Sequence, residues 1–238
     1  MPRQARLRAA GIPWHVRQRA NNGIACFVEP EDRELYLGML GELSAKTGCD
    51  VHAYVLMTNH THLLLTPREL DGPSRLMKQL GERYTRHFNQ RRKRFGTLWE
   101  GRFRSCLVET EPYLLTLHRY IELNPVRARM VGHPRDFPWS SYRSNAEGEA
   151  SMIIRPHGLY LGLGESDRVR QAVYSEAFAS SIPGGELDRI RDAIDGGFVL
   201  GNREFVERLQ RELRRKVARG VNGRPRLQEK YDTAEFLW

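Results

Sequence analysis

The sequence is short of cysteine, of acidic side chains and of long apolar runs, and each shortage narrows what the chain can be. Its three cysteines, Cys26, Cys49 and Cys106, are scattered, odd in number and without a CxxC spacing. They read as reduced thiols of a cytoplasmic protein, filling space in the core. No apolar run approaches the roughly 20 residues needed to span a bilayer, so no membrane association is expected. The opening MPRQARLRAAGIPW is basic but lacks the apolar centre of a signal peptide. No internal repeat is visible. Acidic residues number 29 against 38 Lys and Arg, a formal charge of +9 over 238 residues. A balance this basic points to a polyanionic partner, nucleic acid before an anionic surface.

What is present is enough for a packed core: 40% of the residues are hydrophobic. IPWHVRQR, residues 12–19, alternates apolar and polar positions as a half-buried strand does. Pro30, Glu31, Asp32 and Glu34 open a helix, Leu35, Met39, Leu40 and Leu43 give it an apolar stripe, and Gly48 follows its end. Residues 51–57, apolar on both faces, read as a central strand, and after Thr58-Asn59 the chain returns as a neighbour over 60–66. Ser74 can cap a second helix carrying Met77, Leu80, Tyr84 and Phe88, and a fourth strand is expected around 98–108. Thr110-Glu111-Pro112 starts a third helix with Leu114, Leu117 and Ile121 on its core face, stopping near Asn124 before Pro125.

That order predicts an α+β fold with a ferredoxin-like βαββαβ core, an antiparallel sheet with helices on one face. Beyond it, 144–151 is small and polar, a candidate linker. Two short amphipathic helices are expected around Gly196-Gly197, carrying Leu187, Ile190 and Ile194, then Phe205, Val206, Leu209 and Leu213. The expected division is a catalytic domain over 1–143 and a helical, basic C-terminal region over 144–238 that supplies accessory DNA binding.

The stretch VHAYVLMTNHTHLLLTP, residues 51–67, sets His60 and His62 two apart in an apolar run. On a strand both point the same way, about 6–7 Å apart, so they can share a divalent metal. HxH alone is short and common, and two hydrogen-bonded core histidines would give the same pattern. A third ligand and a reactive group are available on the third helix. Tyr120 and Asn124 are four apart on one face, with Tyr113 one heptad earlier on nearly the same side. A phenol has a pKa near 10 and is ionised only about once in a thousand at pH 7. A nearby cation and basic side chains would favour its phenolate as a nucleophile. The amide oxygen of Asn124 could complete a His-His-Asn set, which suits Mn²⁺ or Mg²⁺ with positions left for water and phosphate oxygens.

Together AYVLMTNHTHLLLTP, FGTLWEGRFRSCLVE, YLLTLHRYIELNPVRARMV and PWSSYR resemble the single-tyrosine transposase superfamily, most closely REP-associated tyrosine transposases of the IS200-like branch. The resemblance spans roughly 12–142. It implies a ferredoxin-like core with an HUH motif at His60-Thr61-His62, Thr61 standing where the wider superfamily often has a hydrophobic residue. It implies Tyr120 as the nucleophile rather than Tyr113, because Tyr120 precedes Ile121 and stands four before Asn124-Pro125-Val126. It also implies Asn124 as the third ligand of an Mg²⁺ or Mn²⁺ ion. The reaction implied is metal-dependent cleavage and rejoining of single-stranded or hairpin DNA through a 5′-phosphotyrosine that leaves a free 3′-hydroxyl. A monomer or homodimer in the cytoplasm, at the nucleoid, follows from that role. The alternative is a non-cleaving regulator that binds DNA or RNA hairpins.

RYTRHFNQRRKRFGTLWEGRFR, residues 83–104, holds eight Lys and Arg against one acid, with aromatics interleaved. Basic groups neutralise phosphates while rings stack bases, so Arg83, Arg86, Arg91, Arg92, Lys93, Arg94, Trp99, Arg102 and Arg104 are expected to touch DNA. The tetrapeptide Gly223-Arg224-Pro225-Arg226 resembles an AT-hook core, which adds Arg224 and Arg226 as minor-groove contacts.

Overall fold

The computed structural model describes residues 5–218. Its centre is a four-stranded antiparallel sheet of β1 (Trp14–Arg19), β2 (Cys49–Leu56), β3 (His60–Pro67) and β4 (Arg104–Leu107), in the order β2-β3-β1-β4. Between β1 and β2 runs α1 (Pro30–Lys46), and between β3 and β4 runs α2 (Gly72–Arg91). This is the ferredoxin-like arrangement.

Helix α1 begins where its sequence says it should. Asp32 accepts from the backbone N–H of Glu29 and of Val28, closing a capping box over the first turn. Helix α2 starts at Gly72, ahead of Ser74, with Asp71 in the capping position and no side-chain cap bond. Both helices bury their apolar sides on one sheet face, where Leu40, Leu76, Leu80 and Tyr84 meet Trp14, Val16, Leu63 and Leu65.

The opposite sheet face is covered by α3 (Thr110–Glu122), and Leu114, Leu117 and Ile121 pack with Val55 and Leu64. Backbone at Glu111 is extended, so regular helix starts after it. Past Leu123 a further helical turn, α4 (Asn124–Arg127), accommodates Pro125 as its second residue, where no intrahelical N–H bond is lost.

Two expectations need correction. Strand β2 is an edge strand of the sheet, not a central one. It is buried because chain from the second half covers its outer edge: Leu56 donates to Trp139, Ser141 to Tyr54 and Arg155 to Val51 through their backbones. The stretch 144–151 is no simple linker either, since α5 (Tyr142–Glu147) runs into it with Asn145 and Ala146 buried.

After α5 come α6 (Gly158–Leu161), α7 (Asp167–Glu176), α8 (Gly184–Gly196) and α9 (Arg203–Leu213). The last two are the amphipathic pair expected around Gly196-Gly197. Ile190 and Ile194 of α8 join the core beneath α3, while Phe205 and Leu209 of α9 join the core beneath α1 and α2. Arg224 and Arg226 lie outside the described residues.

Candidate active site

Period-two alternation along two neighbouring strands builds the site. On β3, Leu63 and Leu65 face α1 and α2, so His60, His62 and Leu64 face α3. On β1, Trp14 and Val16 take the first face, which leaves His15, Arg17 and Arg19 on the second. The antiparallel register sets Arg17 opposite His62 and Arg19 opposite His60. Tyr120 then comes down from α3 and Asn124 from α4. A cleft of about 480 Å³ results, lined by Arg17, Arg19, Asn59, His60, His62, Tyr120, Asn124, Arg127, Ala128, Arg191 and Asp195.

Contacts inside the cleft are close. The His60 and His62 ring centroids are 5.2 Å apart, and the Tyr120 ring stands edge-on to His62 at 5.9 Å. Tyr120 is only 5% exposed, so little of the residue meets open solvent. The Arg127 guanidinium lies 4.3 Å from the Tyr120 ring centroid and donates from Nη2 to the Tyr120 carbonyl at 2.7 Å. Its Nη1 is buried and has no hydrogen-bond partner among the described residues, and Arg127 itself lines the cleft.

Burial keeps the imidazoles neutral. His60 is pushed down to about 4 by burial, helped by Arg17 and Arg19. His62 is lowered well below its usual value by burial, then by His15, His60 and nearby arginines. His60 Nδ1 bonds Asn59 Oδ1 at 2.7 Å, and His62 Nδ1 pairs with His15 Nε2 at 2.7 Å. Both rings therefore have Nε2 left for a further ligand, the orientation that outer hydrogen bonds impose on metal-binding histidines.

The donor set fits a divalent cation that keeps water and phosphate oxygens as ligands: two neutral imidazoles from β3 and the Asn124 amide from α4, in one cleft. Among the described residues no group of three or more His, Cys, Asp or Glu side chains forms a metal cluster.

The structure brings His60, His62, Tyr120 and Asn124 into this cleft and leaves Tyr113 out of it, packed beside Arg189 of α8. The residues expected to touch DNA separate into groups. Arg83 pairs with Glu42, Arg91 with Glu29 and Glu31, and Arg92 with Glu29 and Asp32, so these three brace α2 against α1. Arg94 lies near the Phe88 ring, and Lys93 has a positive φ of 49° just past the helix end. Arg104 pairs with Asp195. Arg86, Trp99 and Arg102 line a separate cavity, away from the histidines.

Sequence reading passed over His15, Arg17, Arg19 and Arg127. The first three were available from the alternation of WHVRQR, in which His15, Arg17 and Arg19 share one face. Arg127 stands three after Asn124, one helical turn on.

Residues 14–124 match the family model described as Transposase IS200 like. No curated protein matches the chain. A solved structure of a REP-associated tyrosine transposase bound to a REP hairpin is similar at 17% identity and a TM-score of 0.52, covering 66% of this chain and 93% of its own. A candidate transposase from Deinococcus radiodurans R1 aligns at 20% identity with a TM-score of 0.36, over 51% of this chain and 96% of its own. At these identities the first likeness speaks for the fold.

Proposed function

We propose that this chain, whose residues 14–124 match the IS200-like transposase family model, is a REP-associated type of single-tyrosine transposase, cutting and rejoining single-stranded DNA at hairpins with Tyr120 as nucleophile. One observation carries the reading. Tyr120 shares a cleft with His60, His62 and Asn124, walled by Arg17, Arg19, Arg127 and Arg191 against the single acid Asp195.

The cationic wall holds the phosphodiester, with the unpartnered Arg127 Nη1 a donor for a phosphate oxygen. Arg127 also anchors the Tyr120 backbone, so the group that binds phosphate positions the nucleophile too. Tyr120 Oη attacks phosphorus and the P–O3′ bond breaks. The phenol proton leaves to solvent, and the departing oxygen takes up a proton to become a 3′-hydroxyl. His60, His62 and Asn124 would hold Mg²⁺ or Mn²⁺, which when bound draws charge from the phosphate and favours the phenolate. The phosphotyrosine ester keeps the phosphodiester reactive, so attack by a 3′-hydroxyl rejoins the strand without ATP.

The test is a labelled single-stranded hairpin incubated with the full chain and Mg²⁺ or Mn²⁺. A covalent protein–DNA adduct that vanishes in Tyr120→Phe is expected. Salt-sensitive hairpin binding with no adduct across a range of hairpins, indifferent to chelator and to His60→Ala, would instead identify a non-cleaving hairpin regulator.

A further inference from the structure

We propose that the cavity on the far side of β1 is a nucleotide pocket, in which the Gln18 amide reads an unstacked base of the DNA strand held in the cleft. The proposal rests on the DNA reading above and adds a specificity site to it.

Alternation along β1 that sends Arg17 and Arg19 into the cleft sends Gln18 to the opposite face. Gln18 is 5% exposed, and its Oε1 is buried with no hydrogen-bond partner among the described residues. A buried amide oxygen left unsatisfied is costly, and it marks where a ligand donor is missing. Gln18 lines a cavity of about 710 Å³ between α2 and the chain leading into β4, within the size range of small-molecule sites. Trp99 and Phe103 form its apolar wall. Gly81 leaves room over the amide, since a Cβ there would stand 3.4 Å from Gln18 Nε2 and 3.5 Å from Trp99 Nε1.

The rim supplies the charge a nucleotide needs. Lys78, Arg86 and Arg102 are exposed and line the cavity, against the one acid Glu82. Unlike Arg83, Arg91 and Arg92, they carry no ion pair among the described residues. Arg102 also lines a groove with Arg17 and Arg19, which themselves line the catalytic cleft. Arginines therefore line the surface from the cleft around the end of β1 to Gln18, outnumbering the groove's Glu100 and Asp195, the latter paired with Arg17 and Arg104. An aromatic wall, an amide with donor and acceptor, and phosphate-binding cations are the parts from which single-stranded nucleic-acid readers are built.

A pool of single-stranded DNA hairpins with randomised unpaired flanks, enriched for binding to the full chain, tests this. The wild-type pool is expected to show one flank position where a single base is preferred about tenfold. Gln18→Leu, close in size and apolar, is expected to lose that preference at that position alone. Lys78→Gln with Arg86→Gln, both at exposed positions, is expected to weaken binding of every flank and reduce the salt slope by about one per charge. Unchanged preference in Gln18→Leu, no preferred position in the wild type, or unchanged affinity in the Lys78/Arg86 pair would each overturn the pocket; the last also decides the matter if Gln18→Leu fails to fold. Adducts at Tyr120 on the enriched hairpins are scored separately. Altered preference without adducts keeps the pocket and sinks cleavage, whereas adducts with unaltered preference keep cleavage and sink the pocket.

Discussion

Helix α3 and the turn after it carry two polar pairs of identical spacing. Tyr120 and Asn124 stand four apart on one side, His118 and Glu122 four apart on the other. Tyr120, His118 and Glu122 are buried and Asn124 half-buried, and the two sides differ in how their hydrogen bonds are closed. Glu122, fully buried, accepts from Ser141 Oγ and Asn145 Nδ2 at one oxygen and from the Tyr174 hydroxyl at the other. His118 Nδ1 pairs with that same hydroxyl at 3.2 Å, and its Nε2 has no partner among the described residues. On the cleft side the imidazoles keep Nε2 for a further ligand and Arg127 keeps an unpartnered Nη1. A polar cluster whose carboxylate is satisfied by its own chain acts as an anchor, here tying α3 to α5 and α7. One with open donors and lone pairs has been left for something that arrives.

The sharpest way to test this contrast is Tyr120→Phe. It keeps the packed ring, so adduct formation is expected to fall by more than about a thousandfold while unfolding free energy moves by no more than about 0.5 kcal/mol. Next comes Glu122→Ala, which strands three buried donors and is expected to cost about 3–5 kcal/mol in urea denaturation. Adduct yield per folded molecule should survive; unchanged stability would break the contrast between the two sides.

A third test uses pH. His52 bonds the Arg155 carbonyl and Thr66 Oγ1, and Asn145 donates to its backbone, so it belongs to the anchoring side. Burial lowers its pKa from 6.5 to about 4. The folded chain thus refuses a proton that the unfolded chain accepts. Its contribution is intact above about pH 6.5 and lost as pH falls through 4, roughly 3 kcal/mol in all. Stability should fall between pH 7 and 4, the other buried histidines adding to the slope, and His52→Gln should remove the part that belongs to His52. The smallest expected effect is on the cleft side. Arg127→Lys keeps the charge but loses the planar fork, and hairpin affinity should weaken about tenfold in a binding titration.

Much of the fold was legible because local pattern and tertiary fold agree. Helix α1 has its acids, proline and stripe in register, and β3 follows β2 directly after the turn at Thr58-Asn59. The placement of β2 was not legible: an edge strand covered by Trp139, Ser141 and Arg155 has the same apolar composition as a central one. Helices α5 to α7 escaped notice because they are short and the burial of Tyr142, Tyr160 and Tyr174 depends on one another rather than on a periodic stripe. The run Arg91-Arg92-Lys93-Arg94 reads as bare positive charge only while Glu29, Glu31 and Asp32, some sixty residues away, are out of view.

By itself the sequence determined which residues share a face, since strand and helix periods follow from backbone geometry alone. His60 with His62, Tyr120 with Asn124, and His15 with Arg17 and Arg19 are consequences of periods 2 and 3.6. Tertiary structure decided which faces meet and which charges are spent. It brought His62 and Tyr120 together in one chain, closed the bonds of Glu122 and left those of Arg127 and Gln18 open. The reason is physical: whether a buried donor or acceptor is satisfied depends on groups far along the chain, and no local spacing records it.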